Sequence, residues 1–410
     1  MDLQPAAAGF DATRLDRIAA HLDRHYITPG KIAGCQVAVG RHGHLAYVAS
    51  LGHRDRERGV EIGDDTIFRL YSMTKPITSI ALMQLFEQGM FQLDEPVARL
   101  FPSWRSHQVW VSGAGDEMVT EPARRPVSFR DLLTHTSGIT YGGVLPGMGD
   151  QHPVDALYRT LKIRSAGVPT TMAEFMDKLS QVPLAFQPGT AYMYSLTTDV
   201  CGALVETLSG QPFADYLQQH ILGPLGMTDT SFQVAADKVH RFASNYARNA
   251  DKTTTLLDDA ATSAFTKPPA FTSGGGGLTG TMADYIRFCE MLRLGGALDG
   301  KRIIGPRTLD LMRLNHLPGG KDLASADVAL LELRGNVGVG FGLGFASTID
   351  QVATGGLCRG DYYWGGAAST VFWIDPIEDL WVVFMTQLMP SNSFDFRGQL
   401  RSLIYSAIND

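Results

Sequence analysis

The chain lacks several features that would have assigned it to a class at once. No stretch of its 410 residues is an unbroken apolar run of the roughly 18 needed to cross a bilayer; the densest, Ser369 to Met389, is interrupted by Asp375, Glu378 and Asp379. A membrane is therefore not an expected partner. The first residues contain no basic segment followed by an apolar core, so no secretory leader is read and the cytoplasm is the expected location. Cysteine is scarce. Cys35, Cys201, Cys289 and Cys358 lie far apart without a CxxC pair, which signals neither a disulfide framework nor a zinc site and leaves buried free thiols as the expected state. Basic runs are missing as well: acidic residues outnumber basic ones 42 to 35, the formal charge is −7, and no Lys or Arg cluster could track a phosphate backbone. Nucleic acid is not an expected partner either.

What remains is the composition of an ordinary globular protein, 44% apolar and 19% charged, long enough for two or three folding units or one large enzyme with an inserted subdomain. Asp11 to Tyr26 carries Leu15, Ile18, Ala19 and Leu22 at helical spacing behind Asp11 or Thr13 as a cap. Cys35 to Gly40 and Leu45 to Leu51 read as a hairpin about Arg41-His42-Gly43-His44, and Thr66 to Leu70 as a further short strand. The two histidines of that turn are read as polar hairpin residues, since no third metal ligand stands near them. At the other end Gly340 to Thr348, Tyr362 to Gly366, Ser369 to Ile374 and Leu380 to Gln387 read as strands, and a helix over Phe394 to Ile408 closes the chain.

The middle reads as helical and loop-rich, with helices at Ile77 to Gln88, Phe129 to His135, Thr171 to Leu179, Thr197 to Ser209, Pro212 to Ile221 and Met282 to Leu294. Strands at both termini must pair with each other. The expected fold is therefore an α/β protein, an antiparallel sheet flanked by terminal helices. Residues 1–88 and 280–410 form one discontinuous domain, and 89–279 a mainly helical insertion.

Three segments could carry chemistry. Ser72-Met73-Thr74-Lys75 lies where a strand gives way to an apolar helix with Pro76 in its first turn. Serine and lysine three apart on a helix share a face, so the amine can reach the hydroxyl, and the helix N-terminus favours negative charge developing there. Such a lysine must be buried, because an exposed one keeps its proton at neutral pH. Chance also produces SxxK, but no other lysine here has a serine three residues before it. Pro188 to Leu196 is a turn feeding the helix at Thr197, and it presents Tyr192 and Tyr194. A phenol beside the Ser–Lys pair could shuttle protons if neighbouring cations lower its pKa, while a tyrosine there could equally anchor the loop. The third segment, Tyr362 to Ala367, is a strand carrying Gly365 and Gly366. These weaken a strand unless something approaches its backbone, which a substrate, or a bulge, would explain.

In this order, Ser72-Met73-Thr74-Lys75, Tyr194-Ser195-Leu196 and Trp364-Gly365-Gly366 resemble the motifs of the β-lactamase-related serine hydrolases, most closely the family VIII carboxylesterases. Leu132 to Gly138 and Gly274 to Leu278 add to a likeness that spans nearly the whole chain. The resemblance implies a β-lactamase/penicillin-binding-protein-like fold, and a nucleophile at Ser72 with Lys75 as its base or proton relay. It implies Tyr194 as the group that moves protons to leaving group and water. It also implies an oxyanion hole from the N–H groups of Ser72 and Ala367, with Tyr192, Trp364, Gly365 and Gly366 binding substrate. Leu196 stands where class C β-lactamases carry Asn, and Trp364-Gly365-Gly366 replaces Lys-Thr-Gly. Both changes point towards esters. The expected activity is hydrolysis of small, short-acyl esters without metal or cofactor. The alternatives are a β-lactamase, a D-alanyl peptidase, an acyltransferase or an inert penicillin-recognising protein. GxSxG is absent, which argues against an α/β-hydrolase, and Gly274 to Gly277, without a following Gly-Lys-Ser/Thr, reads as a flexible loop at the cleft rim.

Overall fold

The structure, a computed structural model, describes residues 2–143, 150, 152–164, 167–327 and 336–410. Its organising element is the hairpin near the start of the chain. His42 (φ 55°) and Gly43 (φ 75°) both take left-handed backbone, the requirement of a tight type I′ turn, and Gly34–Arg41 folds back on His44–Asp55 with Arg41 opposite His44. The free edge of Gly34–Arg41 pairs antiparallel with Leu380–Thr386, so the two ends of the chain form the middle of one sheet.

That sheet has eight strands in the order Val339–Phe341, Ala346–Thr348, Tyr362–Gly365, Val371–Asp375, Leu380–Thr386, Gly34–Arg41, His44–Asp55 and Val60–Glu61. Side chains alternate between its faces. Val37, Val39, Trp373, Val382 and Phe384 pack with Leu15, Ile18, Leu22, Leu400 and Ile404 of the terminal helices. Ala38, Phe372, Ile374, Trp381, Val383 and Met385 pack on the other side with Tyr285, Phe288 and Leu292 of helix Met282–Arg293. Both faces are covered, so the central strands are mainly apolar, and each fully buried large apolar side chain contributes roughly 1.5 to 3 kcal/mol. A one-residue slip would exchange the two faces, which holds the register.

The terminal helices are shorter than the periodicity suggests: Ala12–Leu15 capped by the Asp11 carboxylate, Arg17–Leu22 with a wide final turn over Asp23–Ile27, and Phe396–Tyr405 capped by Asp395. The expected strand Gly340 to Thr348 is two strands. Gly344 (φ 101°) and the bond from Gly342 N–H to Phe345 C=O (2.7 Å) reverse the chain between them, and a side chain on Gly342 would run into the Met312 carbonyl. The strand at Ile67–Arg69 stands outside the large sheet and pairs with Thr279–Thr281.

Helices Phe129–Leu133 and Met172–Leu179 each begin with a capping box, Ser128 with Asp131 and Thr171 with Glu174. Helix Thr74–Glu87 is buried on nearly every side and packs on helix Thr197–Ser209. The middle of the chain also holds two hairpins that periodicity does not reveal, Gln108–Ser112 with Val119–Pro122 and Asn245–Arg248 with Thr254–Asp258. Among the described residues no helix is long and apolar enough to cross a membrane, and the four cysteines are free and buried.

Trp373 is 0% exposed at the centre of the face covered by the terminal helices. Trp373→Ala is expected to cost about 3 to 5 kcal/mol of unfolding free energy, measured by urea denaturation.

Candidate active site

Strand Ile67–Arg69 passes through Leu70 into a 3₁₀ turn, Tyr71–Met73, and then into helix Thr74–Glu87. Tyr71 takes φ 45°, a conformation that costs a β-carbon-bearing residue about 1 to 3 kcal/mol and aims the next residue out of the turn. That residue is Ser72. It sits in the 3₁₀ turn ahead of the helix rather than on it, which corrects the expectation of a shared helical face, yet the amine still reaches: Lys75 Nζ is 3.4 Å from Ser72 Oγ. Lys75 is 2% exposed. Its amine also lies 2.6 Å from the Gly275 carbonyl, 3.3 Å from the Tyr141 hydroxyl and 4.7 Å from the centre of the Tyr194 ring.

Tyr194 arrives from the loop before helix Thr197–Ser209. Backbone bonds from Gly189, Met193 and Leu196 to the carbonyls of Thr136, His135 and Thr140 bind that loop to its neighbour. The Tyr194 hydroxyl then donates to Ser72 Oγ at 2.7 Å. Burial pushes this phenol well above its ordinary pKa, opposed by hydrogen bonding with Ser72, Trp364 and Tyr141. The expectation that nearby cations lower it is thus corrected: desolvation wins, and the resting phenol keeps its proton. One serine oxygen thus lies within reach of a buried amine and accepts from a buried phenol, an arrangement in which protons can pass between the three groups.

Tyr141 was not singled out by sequence reasoning. It is 6% exposed and its ring centre is 5.5 Å from that of Tyr194, but nothing in its spacing distinguishes it from a core tyrosine. His135 lies behind Tyr194, ring centres 4.9 Å apart, with Nδ1 at 2.7 Å from Thr197 Oγ1. Burial, reinforced by the charge on Lys75, holds His135 well below the usual histidine range.

The third segment closes the site from the sheet. Trp364 lies between Tyr194 and Phe341, tilted against the first ring at 5.4 Å and edge-on to the second at 5.2 Å. Gly365 and Gly366 lie close to the protein's own backbone: a β-carbon on Gly366 would lie 2.4 Å from the Leu70 carbonyl, and one on Gly365 2.9 Å from that of Thr370. This close approach seats the strand end against the turn that carries Ser72. The N–H groups of Ser72 and Ala367 donate to no protein acceptor among the described residues.

Two further expectations are corrected. Tyr192 lines no open space; it is 0% exposed, packed against His135 and Phe341, because its backbone bonds to Ala326 and draws the ring into the core. Gly274 to Gly277 is not a flexible rim but a segment packed on helix Thr197–Ser209, where a β-carbon on Gly274 would lie 2.7 Å from the Thr198 carbonyl and one on Gly275 2.9 Å from the Asp199 carboxylate. Of the loops at 142–150 and 323–336, residues 144–149 and 328–335 lie outside the described residues.

The fold and this cluster agree with the comparisons. Residues 16–405 match the Beta-lactamase family model, and the chain belongs to that family. It is 35% identical over 378 residues to protein Rv1367c of Mycobacterium tuberculosis, covering 91% of this chain and 90% of that one. It is 31% identical over 407 residues to esterase EstB of Burkholderia gladioli, covering 94% and 93%. The solved structure of EstCE1, described as a hydrolase with promiscuous acyltransferase activity, superposes with TM-score 0.75 at 26% identity over 96% of this chain and 99% of that one. The chain is thus a serine hydrolase of the family VIII esterase-like type, with a β-lactamase/penicillin-binding-protein fold and the chemistry of ester hydrolysis or acyl transfer.

Because His135 stays neutral when folded but takes a proton near pH 6.5 when unfolded, the unfolded state binds more protons below that pH. Stability is expected to fall on acidification from pH 7.5 to 5.5, His135 contributing up to about 1.4 kcal/mol per pH unit below 6.5. His135→Asn, which tolerates the φ of 56°, should show a shallower loss in urea unfolding at the two pH values.

Proposed function

We propose that this protein is a serine carboxylesterase that cleaves short-acyl esters of small molecules through an acyl-enzyme on Ser72, with Lys75 and Tyr194 as its proton-moving groups. One observation carries the reading: a single serine oxygen, at a strained turn, lies within reach of both a buried amine and a phenol. Ser72 Oγ attacks the ester carbonyl while its proton passes to Lys75. The oxyanion is received by the N–H groups of Ser72 and Ala367, donors worth roughly 3 to 4 kcal/mol each in acyl transfer. Collapse expels the alkoxide, which takes a proton from Tyr194, and Lys75 replaces it. Water then attacks the acyl-enzyme, gives its proton to the same pair, and the acid leaves with Ser72 restored. Each step uses groups of this chain.

The resemblance to EstCE1 supports a second reading, in which an alcohol replaces water in the last step. A β-lactamase role is less well supported, because Trp364-Gly365-Gly366 brings an indole where class C enzymes place a lysine for the lactam carboxylate. We further propose that residues 1–88 with 280–410 and residues 89–279 are the two domains whose junction holds Ser72. We also assign the protein to the reducing cytoplasm, where four buried free thiols persist.

Ser72→Ala is expected to reduce cleavage of nitrophenyl esters to background with the fold retained. Tyr194→Phe should lower kcat by about 10² to 10⁴, whereas Tyr192→Phe, which removes a buried hydroxyl without a hydrogen-bond partner among the described residues, should change it little. A panel from acetyl to dodecanoyl esters, run beside a chromogenic cephalosporin, should show rates highest for the short chains and slow lactam turnover. Equal losses for the two tyrosines, or a preference for the lactam, would overturn the assignment.

A further inference from the structure

Asp199 and the glycine run at Gly274 to Gly277 take no part in the steps above, yet they lie directly behind the amine. Asp199 sits in the first turn of helix Thr197–Ser209, its side chain 1% exposed. One carboxylate oxygen accepts from Ser273 Oγ at 2.6 Å and from the Gly275 N–H at 3.0 Å, and the other meets Arg164 Nη1 at 2.8 Å. The same residue whose N–H binds Asp199 presents its carbonyl to Lys75 Nζ at 2.6 Å, the shortest contact the amine makes. Two further bonds fasten this segment to the helix that carries Lys75: Thr78 Oγ1 donates to the Gly274 carbonyl at 2.8 Å and the Leu278 N–H to Thr74 Oγ1 at 3.1 Å. Glycine is needed at 275 because a β-carbon there would strike the carboxylate itself.

We infer that Asp199, with Arg164 as its counter-ion, is a positioning residue for Lys75: by fixing the backbone of Gly275 it fixes the carbonyl that aims the amine at Ser72. A buried carboxylate with two donors and an ion pair is a stiff support, whereas an unsupported glycine run would let that carbonyl wander. Misplacement of about 1 Å in a proton-transfer group costs up to about 10²-fold in rate. Asp199 touches no reacting atom. Its loss should slow acylation and leave ester binding in place.

The inference rests on the Ser72 and Lys75 reading, and a chromogenic nitrophenyl phosphonate separates the two. Labelling forms a bond from Ser72 Oγ to phosphorus, expels nitrophenolate, and passes the serine proton to Lys75. The amplitude of the nitrophenolate burst counts folded sites and its rate reports the chemistry. The wild-type chain is expected to label stoichiometrically. Asp199→Asn, which loses the ion pair, and Gly275→Ala, which leaves Asp199 and Arg164 intact but drives a methyl against the carboxylate, should keep full amplitude. Both should label at least tenfold more slowly, with the KM for nitrophenyl acetate within about threefold of wild type. An unlabelled wild-type chain would remove the catalytic reading itself. Wild-type labelling with either variant reacting at the wild-type rate would overturn the positioning role, and so would a loss confined to amplitude or to KM, the mark of a merely structural residue.

Discussion

The site depends on keeping one amine dry. Lys75 is almost wholly removed from solvent, and a buried ammonium without a carboxylate beside it carries a large desolvation cost. No carboxylate bonds it among the described residues; its contacts are a carbonyl, a phenol, the serine hydroxyl and the face of an aromatic ring. These can satisfy a neutral amine as well as an ammonium. A buried carboxylate, Asp199, is held one peptide away, where it pairs with Arg164 and accepts from the Gly275 N–H, so it supports the amine's surroundings without bonding the amine.

Tyr194 shares this buried site. Burial raises the phenol, so it rests as a donor to Ser72 Oγ rather than as a base competing for the serine proton. The phenol therefore stands as a proton donor to the serine oxygen, while the amine lies 3.4 Å from the same atom.

Much of this was legible in the sequence, for identifiable reasons. The hairpin at Arg41 to His44, the central strands and helix Thr197–Ser209 follow from turn chemistry and apolar patterning that tertiary packing then reinforces. Ser72, Lys75 and Tyr194 were found because each sits at a boundary between elements, where a short motif and a helix start coincide. The hairpins at Gln108 to Pro122 and Asn245 to Asp258 were missed because their strands are short and none shows an alternating apolar face; three of the four are also largely exposed, Asn245–Arg248 being the buried one. Tyr141 and Asp199 were missed because their roles depend on what the fold places opposite them. The glycines at 274–277 were read as flexibility and those at 365–366 as substrate approach or a bulge; Gly274 and Gly366 instead lie against the Thr198 and Leu70 carbonyls, and Gly275 against the Asp199 carboxylate.

These glycine contacts explain how a site drawn from four distant stretches of chain stays in register. Gly366 lets the sheet edge touch the Leu70 carbonyl, and Gly275 lets the segment behind Lys75 touch Asp199. Each contact ties a flank of the nucleophile turn to a different element, one to the large sheet and one to helix Thr197–Ser209. The turn itself carries strain at Tyr71, and an isolated loop would relax it. Held from both sides it cannot, so Ser72 remains presented to the amine and the phenol. The rings of Tyr194, Trp364 and Phe341 wall that position with aromatic surface, and the Lys75 nitrogen beside the serine is already bonded to the Gly275 carbonyl. Such surroundings fit an uncharged acyl group better than an anionic one, since a substrate carboxylate would lose its hydration there without gaining a partner.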